Sequence, residues 1–317
     1  MELAFRQAVL DDFEAFYDAC FDRDRDDAWL REIVGQEWRV LLTQGTAITM
    51  VVEDREQPPE RRLIGCGQLV FVTDPFVKWA RSSPSPQVNR QVTHFLEDGS
   101  SPLMTPNEVA RANAGTGLNG LFTRWGQARL QVAREEQVIV GRFMHDAFAT
   151  QSRGYQIKEL LIEAIGEAAR DRALCAGFLD RNDARRDQGD YPSLPHRHFL
   201  MGMTREEAFA NEGSVISHFF FYSRPRFGLT PAQQTLLGLC LAQQEASDEA
   251  LAQALSVPLV KVKNEWRALY RRVMDVDPDL LPLPEGRERG PEKKRRLLHY
   301  LRQHPEELRL YKPRGKG

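Results

Sequence analysis

Apolar and polar positions in the first two thirds of the chain follow two different periods, which predicts a mixed α/β structure. A spacing of three to four residues predicts helices at Leu10–Cys20, Ala28–Leu42 and Gln156–Ala173. Alternating or short continuous apolar runs predict strands at Glu2–Gln7, Ala47–Glu53, Leu63–Thr73, Gln137–Phe143, Leu174–Leu179 and Ser214–Tyr222. Residues 74–135 show no strong period and are rich in Pro, Ser, Asn and Gly, so we expect loops with short helices there.

The last third of the chain has the pattern of three successive helices. Thr230, Pro231 and Gln233 supply an N-cap, a proline at the first helical position and a capping-box glutamine, which together predict a helix start. Ser247 followed by two acids predicts a second start, and Ser256–Pro258 separates this short helix from a third. The apolar residues that predict the buried face of the third helix are Leu259, Val262, Trp266, Leu269 and Val273.

Turn residues and a shift in composition around Ser223–Gly228 predict the boundary between these two parts. We expect an α/β domain at 1–223, an all-α helix-turn-helix domain at 228–275 and a basic C-terminal tail at 284–317. The expected fold class is therefore α+β/α, a mixed α/β domain followed by an all-α domain. The length of 317 residues also favours two domains, because a single core usually stops growing at about 250 residues.

Charge is distributed unevenly between the two parts. Residues 1–223 contain 25 Lys and Arg against 33 Asp and Glu, whereas residues 224–317 contain 18 against 12. A basic segment is suited to a polyanion, because Lys and Arg gain affinity for phosphates by releasing counterions. On the third helix, the residues opposite the apolar face predict DNA contact through base edges or phosphates: Lys261, Lys263, Asn264, Arg267 and Arg271. The alternative is an ordinary solvated face on a three-helix bundle.

Four segments of this region resemble the C-terminal DNA-binding domain of LuxR-type regulators. They are Leu229–Pro231, Ala246–Ala252, Leu255–Val257 and Val262–Asn264. The resemblance covers residues 228–275 and implies that Lys263 meets the DNA. One departure is Gln233, which stands where that family usually has Glu.

The N-terminal part resembles the fold of the GCN5-related N-acetyltransferases (GNATs). Phe5–Ala8 leads into Asp11–Glu14, and a hairpin joins Thr49–Glu53 to Leu63–Gly67. The segment Gln151–Ile157 is predicted to lie between a strand and a helix, where that family binds the coenzyme A pyrophosphate on backbone N–H groups. The resemblance thus implies an acetyltransferase-like domain.

The same resemblance gives candidate acetyl-CoA-binding residues, namely Gln151, Arg153 and Gly154. Gln156 departs from the family pattern, which has Gly or Ala there, and a long side chain would crowd the backbone approach to phosphate. The alternative is a plain turn in which Gly154 adopts a left-handed backbone conformation. We therefore expect no cofactor if the protein is a DNA-binding regulator, and we expect acetyl-CoA only if it is an acetyltransferase. No catalytic residue is identified.

Cysteines and histidines suggest no metal site. Cys20, Cys66, Cys175 and Cys240 are scattered, which favours reduced thiols over zinc ligation or disulfides. His196 and His198 share one side of an extended segment and His145-Asp146 offers further ligands, yet no spacing brings them together. The apolar runs are also too short for a membrane helix and the N-terminus lacks signal-peptide features, so a cytoplasmic protein without membrane association is expected.

The main functional hypothesis is a transcription regulator that binds double-stranded DNA, with a non-catalytic N-terminal domain for sensing or dimerisation. A small-molecule effector and a homodimer are expected, since paired half-sites supply the contacts that one short helix lacks. The first alternative is a GNAT with an appended helix-turn-helix. The second is a protein-interaction adaptor whose three-helix part never meets nucleic acid.

Overall fold

The structure is a computed structural model, and it describes residues 1–20, 28–44, 46–83, 86–98, 101–127, 134–182, 197–242, 246–281 and 291–312. Two compact units are formed. The first, which we call the sheet unit, comprises Met1–Ser152, Gln156–Phe221 and Lys312–Gly317. The second, which we call the helical unit, comprises Arg153–Tyr155 and Tyr222–Tyr311. None of the described helices is both long enough and apolar enough to cross a lipid bilayer.

A seven-stranded sheet forms the centre of the first unit, in the order β1-β2-β3-β4-β5-β7-β6. Neighbouring strands are antiparallel except for β4 and β5, which run parallel. The strands are β1 (Leu3–Gln7), β2 (Ala47–Asp54), β3 (Leu63–Val72), β4 (Leu118–Gln127), β5 (Ile157–Ile165), β6 (Leu179–Asp180) and β7 (His198–Thr204). A parallel pair needs a crossover connection, and the helix between β4 and β5 supplies it.

The described residues of the sheet unit form eight α-helices. They are α1 (Phe13–Cys20), α2 (Ala28–Gln44), α3 (Asp74–Ser82), α4 (Val88–Asp98), α5 (Pro106–Asn113), α6 (Arg134–Ser152), α7 (Glu167–Cys175) and α8 (Arg205–Ala210). Local chemistry fixes several starts: Thr105 and Glu108 form a capping box at α5, and Thr204 and Glu207 form another at α8. Because both faces of the sheet are covered by helices, its middle strands are almost completely buried.

The predicted strand at Gln137–Phe143 and the predicted helix at Gln156–Ala173 are both wrong. The first lies inside α6, where the buried residues Val140, Met144 and Phe148 follow helical spacing. The second is strand β5, followed by Gly166 and then α7. A central strand covered on both faces reads as a continuous apolar run, and periodicity alone cannot distinguish such a run from a buried helix.

Other sequence expectations also change. Residues 74–135 contain not only the short helices α3 to α5 but also β4, a middle strand of the sheet. The predicted strand Leu174–Leu179 is the end of α7 plus a turn at Gly177, whose φ of 94° favours glycine. The predicted strand Ser214–Tyr222 is a 3₁₀ helix at Val215–Phe220, and β7 was not foreseen. By contrast, β1, β2, β3, α1 and α2 lie where the sequence predicted helices and strands.

The described part of the helical unit contains α9 (Pro231–Ala242), α10 (Asp248–Ala254), α11 (Leu259–Val276) and α12 (Pro291–Gln303). The predicted starts are present, since Gln233 N–H donates to Thr230 Oγ1 and Ala250 N–H donates to Ser247 Oγ. Leu237, Leu251 and Leu269 are fully buried in one core. Leu297 and Leu301 of α12 lie in the same core, so the segment predicted as a basic tail contributes to packing.

Candidate active site

The parallel strands β4 and β5 separate partway along their length. They pair from Leu118 opposite Ile157 to Phe122 opposite Ile162. Beyond that point, within the described residues, β4 pairs only with β3 and β5 only with β7. A register shift in the β3–β4 ladder makes Thr123 an extra residue of β4 at the start of the separation. Such a bulge bends its strand, and bulges are frequent beside active sites.

A cavity of about 810 Å³ lies where the two strands diverge. Its volume falls within the range of about 300–1,000 Å³ that is usual for small-molecule sites. Four aromatic residues line it, and these are Phe122, Trp125, Phe178 and Phe219. The polar and ionisable lining residues are Asn89, Arg90, Thr93, His94, Arg124, His145, Glu163, Arg172 and His198. An apolar pocket into which a few polar groups converge is the usual form of a ligand site.

Glu163 and His198 form a hydrogen-bonded pair in the cavity wall. Glu163 Oε1 lies 2.5 Å from His198 Nδ1, and Glu163 Oε2 accepts a hydrogen bond of 2.9 Å from the backbone N–H of Asn89. Only 2% of the Glu163 side chain is exposed, against 20% for His198. Asn89 belongs to the first turn of α4, where the helix dipole favours a carboxylate. The buried carboxylate therefore fixes the imidazole orientation and leaves Nε2 as the nitrogen able to accept a proton.

A second polar network holds α2 and α4 against the sheet. Thr93 Oγ1 donates a hydrogen bond of 3.0 Å to Glu37 Oε2 and receives one of 2.8 Å from Arg124 Nη2. Arg124 Nη2 also lies 3.5 Å from the Glu37 carboxylate. Complete burial raises the pKa of Glu37, and the positive charge of Arg124 acts in the opposite direction. Arg124 and Thr93 line the cavity, so this network keeps part of its wall in place.

The predicted pyrophosphate-binding segment has a different structural context. Gln151 lies in the last turn of α6, and Arg153 and Gly154 follow it, immediately before β5. The segment thus joins the end of a helix to a strand, and the free N–H groups of a helix start are absent from it. Gly154 has a φ of 84°, as the plain-turn alternative requires. A Cβ atom there would lie 2.6 Å from the Glu306 Cα, so neighbouring chain already fills this space.

The predicted DNA-contacting residues lie together on α11. Lys261, Lys263, Asn264, Arg267 and Arg271 are all exposed, and Arg267 donates a hydrogen bond of 3.2 Å to Asn264. The opposite, apolar face is buried as predicted. Nothing in the structure bears on DNA contact by these residues, which stays a prediction, as do the effector and the homodimer.

The histidines considered for a metal site lie on different elements where the structure describes them. His198 pairs with Glu163, His145 lies on α6, and His196 lies outside the described residues. Sequence reasoning missed Glu163 because it was placed in a helix. In β5, Glu159, Leu161 and Glu163 share one face of the strand, a grouping that becomes visible only once the segment is known to be a strand.

Comparison with solved structures finds proteins of the acetyltransferase type. The C-terminal condensation domain of Ebony, in complex with beta-alanyl-dopamine, is 15% identical with a TM-score of 0.38, covering 64% of this chain and 99% of that one. FdhC, a nucleotide-linked sugar GNAT, is 8% identical with a TM-score of 0.37, covering 68% and 94%. Spermidine N-acetyltransferase from Vibrio cholerae, in complex with CoA and spermine, is 11% identical with a TM-score of 0.32, covering 66% and 98%. No family profile and no curated protein matches the sequence.

These findings correct the main functional hypothesis. The predicted DNA-binding regulator is contradicted, because these similar structures are acetyltransferases and a condensation domain. The LuxR-type and helix-turn-helix assignments are not confirmed either. The scores are too low to carry an argument about activity. Any chemistry must therefore be inferred from the divergent strands, the cavity and the side chains that line it.

Proposed function

We propose that the sheet unit is an acyltransferase that moves an acyl group from a coenzyme A thioester to an amine. The main observation in support is the cavity that opens where the parallel strands β4 and β5 separate. The GNAT resemblance of the N-terminal sequence supports the same reading. This was the alternative hypothesis from the sequence.

The separated strand edge suits the pantetheine arm of a coenzyme A thioester. Beyond Phe122, the side of β4 that faces the gap has no strand partner among the described residues. An extended ligand with amide groups can hydrogen-bond to a strand edge as an added strand would. Phe122, Trp125 and Phe219 provide apolar surface beside it. The fit concerns the acyl and pantetheine portions, and pyrophosphate binding by Gln151, Arg153 and Gly154 stays a prediction from the resemblance.

His198 is the residue we assign as the general base. An amine is mostly protonated at neutral pH and must lose a proton before its nitrogen can attack. Glu163 orients His198 through Nδ1, so Nε2 can take that proton from within the cavity. A bound thioester supplies the acyl carbon. The amine lone pair then forms the C–N bond and the C–S bond breaks. The nitrogen loses its second proton as the leaving sulfur gains one, so the products are the amide and the free thiol, and the proton taken by His198 passes to solvent.

The test is acceptor-dependent release of thiol from acetyl-CoA across a panel of polyamines, amino acids, amino sugars and aryl ethylamines. His198→Gln should lower kcat by about 10²–10⁴-fold, the usual contribution of a general base. His299→Gln is the matched control, because His299 is an exposed histidine of α12. It should leave the rate unchanged.

Binding of acetyl-CoA is measured separately by calorimetry. Ile162 lines the cavity at the last β4–β5 pair, so Ile162→Trp should block the site and abolish binding. Val138→Trp, at a position 67% exposed on α6, controls for the added bulk. Absence of acetyl-CoA binding in the unaltered protein, together with no thiol release for any amine, would refute the proposal.

A further inference from the structure

A cluster of metal-ligating side chains includes one residue of the cavity wall, His145, and takes no part in the proposed reaction. It consists of His145 and Asp146 on α6 and His218 in the 3₁₀ helix Val215–Phe220. Each residue offers one ligand atom, and the three atoms lie within 4.8 Å of one another. His145 Nδ1 lies 3.3 Å from Asp146 Oδ1, and the two imidazole ring centres are 6.1 Å apart.

Packing against its neighbours holds the His145 ring in place but leaves one ring nitrogen without a hydrogen-bond partner among the described residues. The ring packs edge-on against Phe219 at a centroid distance of 5.0 Å. Only 17% of the side chain is exposed, and the buried Nε2 atom has no hydrogen-bond partner among the described residues. An unpartnered buried nitrogen is costly, and a structure that retains one often uses it for binding or catalysis. His218 and Asp146 are exposed, so an ion can reach the cluster from solvent.

We propose that His145, Asp146 and His218 bind one divalent transition-metal ion, with Zn²⁺ as the ion of best fit. Two imidazoles and one carboxylate form a borderline-soft ligand set, which Zn²⁺, Co²⁺ and Ni²⁺ prefer and which Mg²⁺ and Ca²⁺ do not. Three protein ligands leave a fourth position for water or another oxygen, the arrangement of open rather than closed zinc sites. The sequence expectation of no metal site is revised by this proposal.

The contraction that such a site needs is small. Zinc bonds to nitrogen and oxygen of about 2.0–2.1 Å put tetrahedral ligand atoms about 3.3–3.4 Å apart. The ligand atoms here must therefore approach by at most about 1.5 Å from their upper limit of 4.8 Å. Rotation about the side-chain bonds of the exposed Asp146 and His218 can supply this movement without shifting α6.

The experiment titrates tag-free, chelator-treated full-length protein with Zn²⁺ and measures binding by calorimetry and equilibrium dialysis. We expect one equivalent of Zn²⁺ per chain with a dissociation constant in the micromolar range or tighter. His218→Ala and Asp146→Asn should each weaken binding by at least tenfold. Both positions are exposed, so neither variant should unfold, and the far-UV circular dichroism of each should match that of the unaltered protein. His299→Ala removes an exposed histidine elsewhere and should leave affinity unchanged.

Co²⁺ provides a second readout, because its visible absorption reports coordination by nitrogen and oxygen ligands. The Co²⁺ spectrum should appear with the same stoichiometry and disappear in His218→Ala. Equal Zn²⁺ affinity in His218→Ala, Asp146→Asn and the unaltered protein would overturn the proposal, as would no binding at submillimolar Zn²⁺. Since metal binding is measured without substrate, the outcome is independent of whether the acyltransferase proposal holds.

Discussion

The substitution Gly154→Ala distinguishes two possible roles of the segment Gln151–Ile157, which are close packing against neighbouring residues and binding of phosphate. Gly154 has a φ of 84°, and a Cβ atom there would lie 2.6 Å and 2.7 Å from the Cα and Cβ of Glu306 and 2.8 Å from Arg309 Cγ. Contacts of a real Cβ below 3.0 Å are essentially never seen, and the nearest atom here is backbone, which cannot yield cheaply. The left-handed conformation costs an L-residue about 1–2 kcal/mol, and overpacking adds about 1–3 kcal/mol.

We therefore expect Gly154→Ala to lower the free energy of unfolding by about 2–5 kcal/mol. Gly213→Ala is the matched control, because Gly213 has a φ of 83° and nothing lies within 4 Å of a Cβ built there. Only the conformational cost of about 1–2 kcal/mol should remain at that position. Urea unfolding followed by far-UV circular dichroism measures both, with separate transitions fitted if the two units unfold apart.

Equal losses of stability in Gly154→Ala and Gly213→Ala would refute the packing role. A phosphate-binding role would give a different result, namely weaker acetyl-CoA binding at unchanged stability. Calorimetry of both variants with acetyl-CoA distinguishes these outcomes.

Two further predictions concern ionisable groups. Exposed Cys175 should react with iodoacetamide before Cys240, because burial raises the pKa of Cys240 to about 11. Peptide mass spectrometry should show that labelling of Cys240 rises only as the pH approaches that value. Equal labelling of the two cysteines at neutral pH would contradict this prediction. Hydrogen bonds from Arg295 and then Arg296 lower the pKa of Glu292 from 4.5 to about 2, so its stabilising effect is present above pH 4.5 and lost as pH falls toward 2. Carboxyl NMR titration should give this value and Arg295→Ala should raise it; an ordinary value in the unaltered protein would count against the ion pair.

Local chemistry made the helical unit predictable. Thr230 and Ser247 cap helices through their own side chains, and Pro231 fixes the first helical residue, so the starts depend on residues within one turn. The amphipathic spacing of Val262, Trp266 and Leu269 likewise predicted the buried face of α11. The spacing did not reveal the function of the exposed face of α11, because a basic helix face has the same residue pattern in a DNA-binding domain and on the solvent-exposed surface of a helical bundle.

The sheet unit was predictable at its edge and not in its middle. β1, β2 and β3 form consecutive antiparallel pairs along the chain, so turns and alternation predict them. β4 and β5 pair in parallel across an intervening helix, and both are buried on two faces, which removes the alternation that would mark them as strands.

The sequence by itself determined the helix caps of the C-terminal part and the outer strands, because these depend on neighbours in the chain. Only the tertiary structure decided where chemistry can occur. Glu163 and His198 meet because β5 and β7 pair side by side, and the cavity beside them exists because β4 and β5 diverge after Phe122. Strand pairing sets such long-range distances, and a linear pattern of residue types does not contain them.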